Sequence, residues 1–389
     1  MTGPLIYLVA CEPSGDALGA QLMRALTAET DGRARFCGIG GPEMQAAGLR
    51  SLFDPSELAL LGILEVIPKF ARVLARVRES VADIERSRPD VLVTIDSWGF
   101  TGRIHQRLAR RGSPIPRVRY VGPQVWAWRP GRARQLARWI HRLLVLFPFE
   151  PPHFTRYGLA TDWVGHPVIE SGADRGDAAR FRGRHGIPPE ATILTVLPGS
   201  RAAEVAALLP MFRDTIGQIA AKVPGLHLAV PTVPGVEARV RAGVADWPWP
   251  TAVVVAASDR FDAFAASTAA LAASGTVTLE LALAGLPHVV AYRLHPVSAW
   301  LLRRLVRTRY VNLINVLLDR AVVSERLQQD CRPDILADDV NRLLIDPAAR
   351  SAMRAQFKQA VAKLAPPGVL PSQAAARAVL AMVAAQPSG

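Results

Sequence analysis

A chain of 389 residues, 50% hydrophobic and 20% charged, is long enough for two domains with sizeable cores, and its composition excludes a disordered or fibrous polypeptide. Its 46 Lys and Arg against 33 Asp and Glu give a net charge of +13, which suits nucleic acid, an anionic membrane surface or phosphorylated small molecules. Zinc-finger spacing and RNP-like aromatic motifs are missing, so no nucleic acid partner is expected.

Cys11, Cys37 and Cys331 are odd in number and far apart, which argues against a disulfide framework and fits a reducing cytoplasm. Residues 5–11 are too short for a signal segment and lack a basic lead-in. The longest uncharged run, residues 263–279, is slightly short of a membrane span and reads as buried core.

In chain order, residues 5–10 are continuously apolar, the mark of a strand buried on both faces. A turn, Cys11-Glu12-Pro13-Ser14-Gly15-Asp16, leads to a helix predicted over residues 17–28. This is a first β-loop-α turn, where doubly wound folds bind ligands, although it lacks G-x-G-x-x-G; a plain turn with Asp16 near a helix start is the other reading. Residues 35–41 form a second strand ending in glycines, and residues 44–48 a short helix. Residues 62–78 carry a broad apolar stripe including Ile67 and Phe70, with Lys69, Arg72, Arg76 and Arg78 beside it. Such a helix either lies on an anionic bilayer or packs on the core with a solvated basic face.

Residues 90–95 are another buried-type strand, ending in Asp96-Ser97-Trp98-Gly99-Phe100. An acid at the carboxyl end of a parallel strand faces the ligand crevice, so Asp96 is a candidate general base; the alternative is a cap for the next helix. Residues 117–121 are a strand leading into Gly122-Pro123-Gln124-Val125-Trp126-Ala127-Trp128-Arg129, whose Gln124 and Trp126 suit either a sugar platform or a hydrophobic plug. A basic helix over 132–142, a strand over 143–147 and a strand and turn over 162–167 follow, with a polar boundary around 168–184.

The pattern then restarts. Residues 192–197 are a strand, Pro198-Gly199-Ser200-Arg201 a phosphate-type loop, and a helix carries Glu204 and Leu208. After strands over 227–231 and 252–256 comes a short apolar strand, 269–273, followed by Ser274-Gly275-Thr276 and a helix over 277–284 closed by Gly285. Backbone N–H groups and hydroxyls at that helix start make an anion seat. Glu280 falls one position late for a capping box with Thr276. It either meets a ribose diol or is an ordinary Glu favoured by the helix dipole. Residues 295–311, with Trp300, Arg303, Arg304 and Arg307, are a second basic amphipathic segment, fit for a membrane or for packing on another subunit or domain. The tail over 338–385 reads as Ala-rich helices.

With these pieces in place the chain resembles the lipid-A-disaccharide synthases. The resemblance rests on Glu12-Pro13-Ser14-Gly15-Asp16, Gly40-Gly41-Pro42-Glu43-Met44, Gly62 with Glu65-Val66, Ile95-Asp96-Ser97, Tyr120-Val121 with Val125-Trp126-Ala127-Trp128-Arg129, Gly165-His166-Pro167, Leu197-Pro198-Gly199-Ser200-Arg201 with Glu204-Val205, residues 274–280, and Tyr310-Val311 with Asn315. Each is weak alone; in this order they are specific.

The resemblance implies an α/β chain of GT-B type, with two Rossmann-like doubly wound β/α/β domains facing across a cleft. Residues 1–170 would carry the acceptor side and the base, 171–350 the UDP-sugar donor, and 351–389 would be helices packing back on the body. It implies an inverting, metal-independent transfer with no cofactor. The donor is a UDP-activated acylated sugar, UDP-2,3-diacylglucosamine, and the acceptor an acylated glucosamine 1-phosphate. The product is the β-1′,6-linked disaccharide 1-phosphate, with UDP leaving. A different UDP-sugar GT-B transferase or a UDP-sugar epimerase is the alternative.

The resemblance makes Asp96 and Arg201 catalytic. Gly199, Ser200, Arg201, Ser274, Gly275, Thr276, Glu280 and Asn315 would bind the donor. Ser14, Gly15, Asp16, Gln124, Trp126, His166 and Tyr310 would lie on the acceptor side or in its loops. It gives weight to Ile67, Phe70, Arg72, Arg76, Trp300, Arg303, Arg304 and Arg307 as contacts with the anionic inner-membrane surface, placing the chain in the cytoplasm on the inner face of that membrane. It also implies an intertwined homodimer. The sequence departs from the family in two places. Trp98-Gly99 stands where Pro-Asp is usual, and Asn312-Leu313-Ile314-Asn315 replaces the commoner Ser-Leu-Pro-Asn.

Overall fold

The computed structural model describes residues 3–59, 66–293 and 308–385. The chain forms two compact units, Met1–Pro167 with Leu364–Gly389, and Val168–Lys363. Residues 351–363, grouped with the tail in the expected division, belong to the second unit.

The first unit is built on seven parallel strands: β1 (Leu5–Ala10), β2 (Arg35–Ile39), β3 (Arg50–Ser51), β4 (Val91–Ile95), β5 (Arg117–Tyr120), β6 (Arg142–Val145) and β7 (Ala160–Trp163). Their order is β3-β2-β1-β4-β5-β6-β7. The chain winds outward from β1 to β3, then returns to place β4 on the other side of β1, pairing Ala10 with Ile95. Apolar runs in β1 and β4 are buried because helices cover both faces. Ile6, Leu8, Val93 and Ile95 pack toward the helices Pro13–Glu29 and Pro371–Ala384. Tyr7, Val9 and Leu92 share a cluster with Val77, Val81 and Ile84 of Val66–Ser87 and with Ile104 and Leu108 of Trp98–Arg110. The returning C-terminal helix lies on Pro13–Glu29 through buried Ala375, Ala376 and Val379, and Arg377 reaches Glu29 at 2.9 Å.

The second unit repeats the plan with β8 (Ile193–Leu197), β9 (His227–Pro231), β10 (Thr251–Val254), β11 (Ala269–Ala273), β12 (His288–Tyr292) and β13 (Glu325–Leu327). Their order is β10-β9-β8-β11-β12-β13 and all pairs are parallel. The winding reverses between β8 and β11, where Leu197 pairs with Ala272. Its larger core joins this sheet to the helices Ala202–Ala220 and Pro333–Ile345.

Local chemistry moves several expected boundaries. The first helix starts at Pro13, because proline's fixed φ and missing N–H suit a first helical turn. Ser14, Gly15 and Asp16 are therefore helical. The helix expected over 132–142 is only Gly131–Leu136, and the one over 44–48 is Pro42–Ala46. Three helices follow β13 (Pro333–Ile345, Pro347–Val361 and Pro371–Ala384), each with proline in its first turn. No helix among the described residues is long and apolar enough to cross a membrane.

Asp16 is committed to this architecture. Its carboxylate accepts from the backbone N–H groups of Gly41 (2.8 Å), Glu43 (2.9 Å) and Met44 (3.1 Å), satisfying the start of Pro42–Ala46. A Cβ on Gly41 would stand 2.6 Å from Asp16 Oδ2, so the glycine admits the contact. Substituting Asp16→Asn sets an amide donor against a backbone donor. It should cost about 2 kcal/mol, read as a lower urea midpoint, with turnover per folded molecule unchanged. A raised acceptor KM at unchanged stability would instead return Asp16 to the acceptor side.

Candidate active site

In an open parallel sheet, the loops at the carboxyl ends of the two strands flanking the winding reversal diverge to opposite faces and leave a crevice. In the first unit these strands are β1 and β4, and the two loops are joined by a hydrogen bond from Ser97 Oγ to Glu12 Oε1 (3.0 Å). Asp96 and Ser97 both have left-handed backbones, φ 49° and 44°. For non-glycine residues that strain costs of order 1–3 kcal/mol each and persists only where the surroundings impose it. The Asp96 carbonyl accepts from Thr101 Oγ1 (2.9 Å) and Arg119 Nη1 (3.0 Å), while the Asp96 N–H donates to Tyr120 O (3.2 Å). The Asp96 side chain stays 48% exposed. It does not cap the following helix, which has no side-chain cap. A half-exposed carboxylate on a fixed main chain is suited to taking a proton.

Beside it, after β5 and β6, the aromatic loops form a plug. Trp126 meets Phe149 edge-on (5.3 Å), Phe149 stacks on Phe147 (5.4 Å), and Phe147 packs on His166 (5.4 Å). Burial pushes His166 down to about 4. Glu150 lies within the plug, accepting from the N–H groups of Leu146 (3.0 Å) and Phe147 (2.9 Å) and from Trp126 Nε1 (3.4 Å). Burial outweighs those bonds and pushes Glu150 up to about 7. Of the two readings of the 122–129 loop, the geometry favours the plug for Trp126, and His166 packs on its Phe147. Gln124 is exposed, its carbonyl accepting from Ala127 and Trp128. Ser14 is exposed in the first helical turn. Gly15 is buried against Ala10 and Ile95.

In the second unit the loops after β8 and β11 flank the reversal. Gly199 has φ 113°, and a Cβ there would meet Glu204 at 2.7 Å. Glu204 closes the loop. Its Oε2 accepts from the N–H groups of Ser200 (3.2 Å) and Arg201 (3.3 Å), and its Oε1 takes Arg201 Nη1 (2.8 Å). A carboxylate thus already occupies the N–H groups expected to meet a phosphate, through long bonds, while the Arg201 side chain is 79% exposed. Tyr292, at the end of β12, feels both charges: burial, then Glu204, raise its pKa, and Arg201 lowers it.

The loop after β11 is open. A Cβ on Gly275 would touch nothing, and the Ser274 and Thr276 hydroxyls make no hydrogen bond among the described residues. Thr276 is already helical and provides no side-chain cap, while Thr278 Oγ1 donates to Gly275 O (2.8 Å). Glu280 follows on Val277–Leu283. Arg260 donates to its Oε1 (3.2 Å), but its Oε2 is buried without a partner among the described residues, and burial raises its pKa. An orphaned buried carboxylate oxygen calls for a donor such as a hydroxyl.

Other candidates have structural work. Asn315 uses its whole side chain, donating to Val323 O (2.8 Å) and Glu325 Oε1 (2.7 Å) and accepting from Val322 and Val323 N–H (2.8 and 2.9 Å). No capacity is left for a donor. Tyr310 is half-buried under Arg309. Arg76 ties its helix down, reaching Glu57 and Glu79 at 2.6 Å each and covering Phe53, whereas Arg72 is exposed. Among the membrane candidates, the side chains of Ile67 and Phe70, and Trp300, Arg303, Arg304 and Arg307 entirely, lie outside the described residues.

The family model described as Lipid-A-disaccharide synthetase matches residues 6–374. The chain belongs to the lipid-A-disaccharide synthase family. It is 52% identical over 379 residues to the lipid-A-disaccharide synthase of Rhodospirillum centenum, covering 97% of this chain and 94% of that one. It is 50% identical over 378 residues to that of Paramagnetospirillum magneticum, covering 97% of each. Among solved structures, the UDP-GlcNAc 2-epimerase of Neisseria meningitidis bound to UDP-GlcNAc aligns with TM-score 0.62 at 10% identity, over 98% of this chain and 99% of that one. MurG of Acinetobacter baumannii aligns at 0.58 and 14% identity, over 97% and 99%. These likenesses establish the GT-B fold, two parallel-sheet α/β units, for this member of the lipid-A-disaccharide synthase family. The sequence reading assigns no role to Arg119, Glu150 or Arg260; the one signal is a charged residue inside a strand of buried type, as at Arg119.

Glu150 gives a pH test. A carboxyl that titrates near 7 when folded, against 4.5 ordinarily, holds its proton more tightly in the folded state. Its contribution to stability is full below the unfolded value and is lost as pH rises through about 7. Relative to the parent, Glu150→Gln should therefore gain up to about 3 kcal/mol between pH 5 and pH 8, measured by urea unfolding. A pH-independent difference would mean that Glu150 titrates normally.

Proposed function

We propose that this chain condenses UDP-2,3-diacylglucosamine with 2,3-diacylglucosamine 1-phosphate, releasing UDP and forming the β-1′,6-linked disaccharide 1-phosphate. The observation that carries the reading is the family match over residues 6–374, joined to Asp96 at one winding reversal and Arg201 with Ser274–Thr276 at the other. Asp96 takes the proton of the acceptor 6-hydroxyl as its oxygen attacks the anomeric carbon. The bond to the diphosphate breaks with inversion through an oxocarbenium-like state. Negative charge collects on the departing UDP, which the Arg201 guanidinium neutralises with charge-assisted hydrogen bonds. Glu204 now holds that guanidinium, and the diphosphate competes with it for the Ser200 and Arg201 N–H groups. Ser274, Gly275 and Thr276 offer further donors, and a ribose hydroxyl satisfies Glu280 Oε2.

The same reading takes in the acylated acceptor, docking on the anionic inner-membrane surface from the cytoplasmic side, and an intertwined homodimer made by exchange of C-terminal domains between two copies. Arg72 and the basic run around Arg303 supply the charge for the membrane contact; Arg76 is engaged elsewhere. Likeness to UDP-GlcNAc 2-epimerases keeps one rival in view: such an enzyme would turn over a UDP-sugar alone, with no acylated acceptor.

Incubation with both acylated substrates and mass spectrometry of the product tests the reaction; conversion of UDP-sugar without acceptor would overturn it. Asp96→Asn and Arg201→Ala should each lower kcat by ~10²-fold or more with the melting temperature unchanged. Glu280→Gln should weaken UDP binding about tenfold while sparing affinity for inorganic pyrophosphate, which lacks the ribose. Equal loss for both ligands would remove Glu280 from the ribose.

A further inference from the structure

Two consecutive left-handed, non-glycine residues at the end of β4 need something to hold them, and what lies beneath them is a cation. Arg119 sits on β5 beside Thr94 in register, and it is 1% exposed. Its Nη1 donates to the Asp96 carbonyl (3.0 Å) and to Thr101 Oγ1 (3.0 Å), which itself donates to the same carbonyl. Its Nη2 stands 3.9 Å from Asp96 Oδ1. The guanidinium packs on the Trp98 ring (4.9 Å), and Trp98 stacks on Trp139 (5.8 Å, 15°). Gly102 leaves room for that ring, since a Cβ there would lie 2.8 Å from it. Nε has no hydrogen-bond partner among the described residues. Burial lowers the guanidinium to about 10, opposed by Asp96, and leaves it charged at neutral pH.

A buried cation with an unused N–H is a poor way to gain stability, because an apolar side chain of similar size serves a sheet face better. Its two hydrogen bonds go to the Asp96 carbonyl and to Thr101 Oγ1, which bonds that same carbonyl. We propose that Arg119 is a positioning residue for glycosyl transfer: from beneath the sheet edge it pins the Asp96 main chain in its left-handed conformation and so aims the carboxylate, with Trp98 and Trp139 locking the guanidinium in place. This rests on the reading of Asp96 as the base. The main chain around a left-handed residue relaxes toward the extended region when its restraints go, and that swings the side chain. A displacement near 1 Å at a reacting group costs ~10²-fold in rate. The Trp98-Gly99 departure then has a function, because Trp98 supplies the face on which the guanidinium is locked.

The test uses the full chain and both acylated substrates. Arg119→Met should lower kcat by ~10²-fold, with both KM values and UDP affinity within about threefold of the parent. Arg119→Lys, which keeps the cation but not the fork, should fold in any case and lose about tenfold in kcat. Because Arg119 acts through Asp96, the Asp96→Asn/Arg119→Met double variant should be no slower than Asp96→Asn alone. A structural role would instead multiply the two losses, and that result overturns the proposal, as does a kcat within about threefold of the parent for both Arg119 variants. The two ideas separate cleanly. An active Asp96→Asn removes the base and with it the reason for positioning; an inactive Asp96→Asn beside active Arg119 variants removes only the positioning role.

Discussion

Each sheet of this molecule is parallel, with its central strands buried on both faces, and each winds outward from one strand before returning to that strand's other side. That single constraint places the chemistry. At the reversal the two departing loops turn to opposite faces, so no helix covers the gap between them. Glu12 and Ser97 meet at one reversal, and the loops carrying Arg201 and Ser274–Thr276 flank the other. Apolar residues that make the sheets stable thereby decide which polar residues stay near solvent. β1 from Ile6 onward and all of β4 are buried, and exposure begins at Glu12 after one and at Asp96 after the other.

The two reversals handle charge differently. In the second unit the anion seat closes on itself: Glu204 holds the Arg201 guanidinium and two backbone donors through contacts of 2.8 to 3.3 Å. These bonds lie near the surface, where exchange for a phosphate loses little, since one anion replaces another. Glu280 is the opposite case. One oxygen is paired with Arg260 and the other is buried with no partner among the described residues, a desolvation cost that a hydroxyl donor relieves.

Most of the fold was legible in the residues. The continuous apolar run at 5–10, the buried-type strand at 90–95 and the strand at 192–197 are read directly from the residues, and those strands lie at or beside the two reversals. The left-handed Asp96 main chain was not legible, because its conformation is imposed by Thr101 and Arg119, the latter on a neighbouring strand. Nor was the complete internal satisfaction of Asn315, since a side-chain amide that binds ligand and one that ties down a loop are the same residue type. Asp16 shows the same limit: its motif position suits a ligand as well as a helix start, and its carboxylate accepts from the N–H groups of Gly41, Glu43 and Met44, which lie near it because β1 and β2 pair.

Buried charge is the thread joining what the sequence hid. Arg119, Glu150 and Glu280 each sit behind a loop at the carboxyl end of a sheet, and each carries a burial-driven shift opposed by a nearby partner. A buried ion rarely returns its desolvation energy as stability alone. What a buried ion does provide is direction. A fork such as Arg119 tolerates few backbone positions above it, and a carboxylate such as Glu150 fixes two N–H groups and an indole at once. Placing such groups under the loops makes loop geometry a property of the rigid sheet. Asp96 can then combine an exposed carboxylate with an immobile main chain, which a solvent-facing loop alone does not supply.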